Sequence, residues 1–130
     1  MAETRLEHFR AERAALNETV MAYANQGIKR FFNLDWAAYQ PGALDVKTKE
    51  LLGLVASLVL RCDDCITYHI DRCLQEGVRS EELVDALNIG LIVGGSITIP
   101  HLRRALQTWD EALQAGLAPD QPANTPDSAE

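Results

Sequence analysis

No apolar run in this sequence is long enough to cross a bilayer. The two strongest stretches, residues 51–60 and 89–99, contain Gly or Ser and fall short of the roughly 20 residues that a spanning helix needs. The opening Met-Ala-Glu-Thr-Arg is polar and no hydrophobic segment follows it, so no secretory leader is read and a cytoplasmic address is expected. Basic residues are scarce. Twelve Lys and Arg stand against nineteen Asp and Glu, a net charge of −7 that repels phosphate backbones and anionic lipid. Nucleic acid and membrane are therefore excluded as first partners. Strand patterning is also lacking: only Ile97-Thr98-Ile99 alternates at all, and no internal repeat is visible. What remains is 130 residues, 47% of them apolar, enough for one core and too few for two.

The apolar spacing predicts an all-α chain. Leu6, Phe9, Leu16, Val20 and Tyr23 recur at helical intervals among Glu and Arg, which predicts an amphipathic helix over residues 3–26 ending near Gly27. The aromatic-rich piece with Phe31, Phe32, Trp36 and Tyr39 precedes Pro41-Gly42 and reads as one or two short helical turns. Asp45 is placed to cap a helix over 47–60 whose apolar residues nearly surround the axis, as in a mostly buried helix. A further helical period runs over 62–76 and meets Gly77, where a positive φ is wanted. Ser80 reads as the N-cap of the next helix, Gly94-Gly95 stops it, and Pro100 suits the first turn of a last helix closed by Gly116. Residues 1–117 make the expected domain. Residues 118–130 hold three Pro and three acidic residues without a branched apolar or aromatic side chain, and are expected to be disordered.

Chemistry concentrates in one segment. On a helix advancing 100° per residue, Cys62, Cys65, His69 and Cys73 fall within an arc of roughly 80°. Two cysteines three apart at a helix start can close a small disulfide ring, and the positive end of the helix dipole favours a thiolate there. His69, one turn after Cys65, is close enough to take or return its proton. Asp63 and Asp64 oppose this, because negative charge beside the sulfurs raises thiol pKa values unless the carboxylates point away. Cys73 reads as a small buried hydrophobe, and His8 and His101 read as satisfied core histidines.

Zinc and a thioredoxin fold compete for the same residues. If 62–73 is one helix, its ends are separated by about 16 Å of rise, too far for Cys62, Cys65, His69 and Cys73 to meet on one ion. A site using the first three with a distant carboxylate stays open. The thioredoxin reading fails on context, since a Leu-rich helix precedes the CxxC where a βαβ pattern is required.

Residues 47–105 resemble the AhpD-like alkylhydroperoxidase branch of the carboxymuconolactone decarboxylase family. Thiol-active members of that branch carry Glu, then Cys twelve residues on, Cys three later and His four later, and Glu50, Cys62, Cys65 and His69 stand at those positions. The resemblance implies an all-α fold, a homo-oligomer with a hexamer favoured and a trimer as the alternative, and peroxide reduction without metal or organic cofactor. It makes Cys65 the sulfur that attacks peroxide, Cys62 the resolving partner in a Cys62–Cys65 disulfide, His69 the proton shuttle and Glu50 its orienting carboxylate. An external dithiol, on a lipoyl or thioredoxin-like protein, is implied as electron donor. One departure stands out: the best-known peroxidase members have His where this chain has Asp64. Two other functions compete. One is a lyase of the decarboxylase branch, with Glu50 and His69 as acid and base; the other is a non-catalytic oligomeric module whose CxxC senses redox state.

Overall fold

The structure is a computed structural model, and it describes residues 2–117. Residues 118–130, for which disorder is expected, lie outside the described residues. Six helices follow in order: α1 (Arg5–Tyr23), α2 (Gln26–Ala38), α3 (Val46–Leu60), α4 (Asp63–Gln75), α5 (Ser80–Gly94) and α6 (Ile99–Gln114), with a 3-10 turn at Ser96–Thr98. The fold is an all-α single domain.

Helix α3 is its centre, packed against α4 and α5, while α6 packs on α4. Leu54, Leu58, Ile70, Leu74 and Leu83 are fully buried between these helices, joined by Ala105 and Trp109 from α6 and Leu6 from α1. Close approach of α3 and α5 depends on Gly90, where an added Cβ would lie 2.9 Å from Leu58 Cδ2.

Local signals account for most boundaries. Asp45 caps α3 by accepting from Thr48 N–H at 2.8 Å. Gly77 (φ 78°) ends α4 and Gly95 (φ 83°) ends α5, each in the left-handed region that favours glycine. Pro100 sits in the first turn of α6. Elsewhere the expectations need correction. The first helix stops at Tyr23, and Asn25 caps a second by accepting from Ile28 N–H at 2.9 Å, so Gly27 lies inside α2 rather than ending α1. The aromatic piece is thus a full helix of 13 residues. The N-cap of α5 is Arg79, whose backbone N–H is held by Glu82 at 2.9 Å, and Ser80 is the first helical residue. Ile97-Thr98-Ile99 spans the 3-10 turn and the start of α6.

Apolar surface is left over. On α3, Leu52 and Leu60 are exposed, and α2 exposes Phe31, Leu34 and Trp36 with no residue buried. The all-round apolar character of residues 47–60 therefore does not mean burial within this chain.

Candidate active site

Two residues separate α3 from α4. Arg61 turns the chain with left-handed backbone (φ 58°, ψ 42°), and Cys62 follows in extended conformation as the N-cap of α4. Its Sγ accepts from the Cys65 N–H at 3.3 Å, a sulfur filling the place usually taken by a Ser or Asp oxygen. Cys62 and Cys65 are disulfide-linked, with Cα atoms 5.3 Å apart. Cys65 is the more exposed of the two. When the pair is reduced, the helix N-terminus favours negative charge on Cys62.

The flanking carboxylates divide. Asp63 turns towards α6, where its Oδ1 lies 2.8 Å from His101 Nδ1 and its Oδ2 accepts from Arg104 Nε at 3.0 Å. Burial would raise its pKa, but the His101 hydrogen bond and the Arg104 charge outweigh this and hold it below the usual carboxylate range. Asp64 lines the same cavity as Cys65.

One helical turn on, His69 points at α3. Its Nδ1 is 2.8 Å from Glu50 Oε1, and Glu50 is only 1% exposed. A carboxylate can only accept, so in that pair Nδ1 carries the hydrogen and Nε2 is left for proton exchange. Arg72 Nε donates to the other Glu50 oxygen at 3.4 Å, so the buried carboxylate has two cationic or donor partners. The Tyr39 hydroxyl lies 3.5 Å from His69 Nε2, and the Tyr68 ring meets the imidazole edge-on with centroids 5.1 Å apart. Burial first, and then the Glu50 charge, push both tyrosine pKa values up, so each hydroxyl keeps its hydrogen.

Gly53 makes room for this cluster. A Cβ there would sit 2.6 Å from His69 Cε1 and 2.6 Å from the Tyr39 hydroxyl. Here the need for glycine is close approach, not a special φ.

Cys65, Tyr68 and His69 open onto a cavity of about 380 Å³ whose opposite wall is α1, through Phe9 and Arg13. A second cavity, of about 480 Å³, lies against Glu50, Arg72 and Tyr39. The His69–Glu50 pair thus spans from one cavity to the other. A larger groove of about 770 Å³ between α5 and α6 holds Leu87, Leu91, Leu102 and Leu106 but neither sulfur nor imidazole.

Of the residues singled out in the sequence, Cys62 is bonded to Cys65, His69 is paired with Glu50, and Cys65 and His69 line one cavity. Cys73 is fully buried in the core, and burial followed by the Glu50 charge pushes its thiol up to about 12. His8 is exposed, with Glu3 3.5 Å away, rather than a core residue, and His101 belongs to the Asp63 cluster. Tyr39, Gly53 and Arg72 complete the surroundings of His69 and Glu50. Arg72 alone carries a trace in the sequence, sharing the His69 face one turn later; nothing local marks the other two. Among the described residues, no group of three or more His, Cys, Asp or Glu side chains converges as metal ligands would.

The model of the carboxymuconolactone decarboxylase family matches residues 27–108, which hold Glu50, Cys62, Cys65 and His69. The chain belongs to that family. A carboxymuconolactone decarboxylase family protein of Thermotoga maritima, for which a part in antioxidative response is suggested, is 58% identical. In two crystal structures it covers 85% of this chain and 97% and 93% of its own, with TM-scores of 0.83 and 0.81. A Legionella pneumophila member of the family is 25% identical over 82% of this chain and 96% of its own, with a TM-score of 0.76. An uncharacterized protein of the Paracoccus denitrificans cox locus is 31% identical over 98 residues, 75% of this chain and 87% of its own. The α1 wall of the sulfur cavity lies outside the span matched by the family model.

Proposed function

We propose that this carboxymuconolactone decarboxylase family protein is a thiol-dependent hydroperoxide reductase of the AhpD-like type. The observation that carries the reading is the pairing of His69 with buried Glu50 on the wall of the cavity that also holds the exposed Cys65. The antioxidative part suggested for the Thermotoga maritima relative agrees with it.

In the reduced protein His69 takes the Cys65 proton at Nε2, while Glu50 stabilises the imidazolium through Nδ1–H. The Cys65 thiolate attacks the distal peroxide oxygen; an S–O bond forms, the O–O bond breaks, and the departing alkoxide takes the proton from His69 as alcohol. Cys65 is left as sulfenic acid. Cys62 then attacks that sulfur, the S–O bond breaks, and hydroxide leaves as water with one proton. The product is the Cys62–Cys65 disulfide. An external dithiol, lipoyl or thioredoxin-like, returns two electrons and two protons. No metal or organic cofactor enters these steps. Asp64, in place of the family's His, makes the sulfur site more anionic than in the best-known peroxidases.

Peroxide consumption with a dithiol tests the proposal. Cys65→Ser abolishes turnover, and Cys62→Ser performs one turnover and stops at a sulfenic acid that a dione reagent traps. Equal rates in wild type and both variants remove the assignment. A lyase instead keeps its activity after thiol alkylation.

The protein is further proposed to act as a homo-oligomer, with a hexamer favoured. Phe31, Leu34 and Trp36 on α2 and Ile92 and Val93 on α5 are each more than 60% exposed, and a second copy of the chain is the cover proposed for them. Light scattering that finds only a 14.4 kDa species at micromolar concentration contradicts this.

A further inference from the structure

The sulfur cavity is charged on one side of the balance. Three carboxylates line it: Glu12 from α1, Asp35 from α2 and Asp64 from α4. None of the three has an ion-pair partner within 4 Å among the described residues, in contrast to Asp63, Asp71, Glu50 and Glu82. The lining holds one guanidinium, Arg13, and that group lies 4.3 Å over the face of the Tyr68 ring. The ring quadrupole favours that position and leaves the charge in place. An anion approaching Cys65 meets three carboxylates against one guanidinium.

We infer that this cavity selects its reductant by charge, admitting neutral and cationic thiols to the Cys65 sulfur and turning anionic thiols away. The inference rests on the redox reading above and adds a substrate class to it. Cys65 is the sulfur that is attacked, because it is the more exposed one and because attack there expels Cys62 as thiolate onto the Cys65 N–H at the helix start. In that step a bond forms between the incoming sulfur and Cys65 Sγ, and the Cys62–Cys65 bond breaks. A second thiolate then attacks the mixed disulfide, releasing the external disulfide and a Cys65 thiolate. Both electrons come from the two external thiols. The three carboxylates are exposed enough for salt to screen them, so selection is strong at low ionic strength and fades as the Debye length shrinks.

The test is a charge series of small thiols: cysteamine (cationic), 2-mercaptoethanol (neutral) and 3-mercaptopropionate (anionic). Each reduces the oxidised protein, and rates are normalised for thiolate concentration and for the same thiol reacting with bis(2-hydroxyethyl) disulfide. At low salt the order expected is cationic, neutral, anionic, with about tenfold between the ends. The spread collapses to about twofold in high salt and in the Glu12→Gln/Asp35→Asn variant, whose substitutions are on exposed side chains that the fold does not need. Equal normalised rates at low salt, or a spread that survives in the variant, overturn charge selection while leaving peroxide reduction standing. If no thiol reduces the pair, the redox reading and this inference fall together.

Discussion

Glu50 and His69 stand on neighbouring helices, nineteen residues apart, and meet with 2.8 Å between carboxylate oxygen and imidazole nitrogen. Neither is reached freely by solvent, so the contact works at lower dielectric than a surface pair and orients the ring.

That contact gives the first prediction. Glu50→Gln keeps the shape but removes the charge that stabilises an imidazolium, and should lower kcat/KM for peroxide about 100-fold. His69→Ala should cost a similar factor. The double variant should be little worse than either alone, because the two residues act as one unit. Steady-state kinetics of the three proteins decide it; additive losses contradict a shared role.

Gly53→Ala separates positioning from folding. Alanine favours the helix by about 1 kcal/mol, but its methyl displaces the His69 ring and the Tyr39 hydroxyl, and overpacking typically costs about 1–3 kcal/mol. A net loss of about 1 kcal/mol in urea unfolding is expected, together with a kinetic defect approaching that of His69→Ala. Full activity in a folded variant would show that the ring has somewhere else to go.

Arg104→Ala tests the neutralisation of Asp63. Without its guanidinium, Asp63 keeps only His101 as partner and more of its negative charge reaches the sulfurs. Alkylation of the reduced pair by iodoacetamide at pH 7 should slow about two- to threefold, a modest figure because Asp63 is half exposed and screened. An unchanged rate means that the α6 contact matters for packing alone.

Cys73 predicts an alkaline weakness. Its thiol titrates near 8.5 when unfolded but at about 12 in the fold, so the native state binds the proton more tightly. Its contribution is fully present below pH 8.5 and is lost as pH rises towards 12, by up to about 1.4 kcal/mol per pH unit. Urea midpoints of the oxidised protein at pH 8 and pH 10.5 should fall more steeply in wild type than in Cys73→Ala. The alanine variant starts lower, since it leaves a void, but its slope is flatter.

Much of this architecture was legible because helical periodicity is a local signal. Asp45, Gly77, Gly94-Gly95 and Pro100 mark boundaries that the structure keeps, each through backbone chemistry that needs no tertiary partner. Asn25 is masked as a cap by Gly27, the stronger punctuation mark two residues later, so a helix of 13 residues reads as one or two short helical turns. Leu52 and Leu60 show the limit of pattern: an all-round apolar helix reads as buried whether its cover is intramolecular or not. In the site, the Cys62, Cys65 and His69 face followed from spacing. Glu50 came only with the family's spacing, since its burial depends on how α3 and α4 cross. The orientation of Asp63 depends on His101 and Arg104, thirty-eight and forty-one residues away, and the seat beneath His69 depends on a glycine without any motif.

The two-residue corner at Arg61 and Cys62 has one more consequence. From its N-cap Cys62 onward α4 carries both sulfurs and the imidazole as one set, and the short bend leaves no slack between that set and the face that buries Ile66, Ile70 and Leu74. Inserting or deleting a single residue there would swing the set by about 100° about its own axis, as a key turned in the wrong lock. Every side chain of the machinery would still be present and none would face its counterpart.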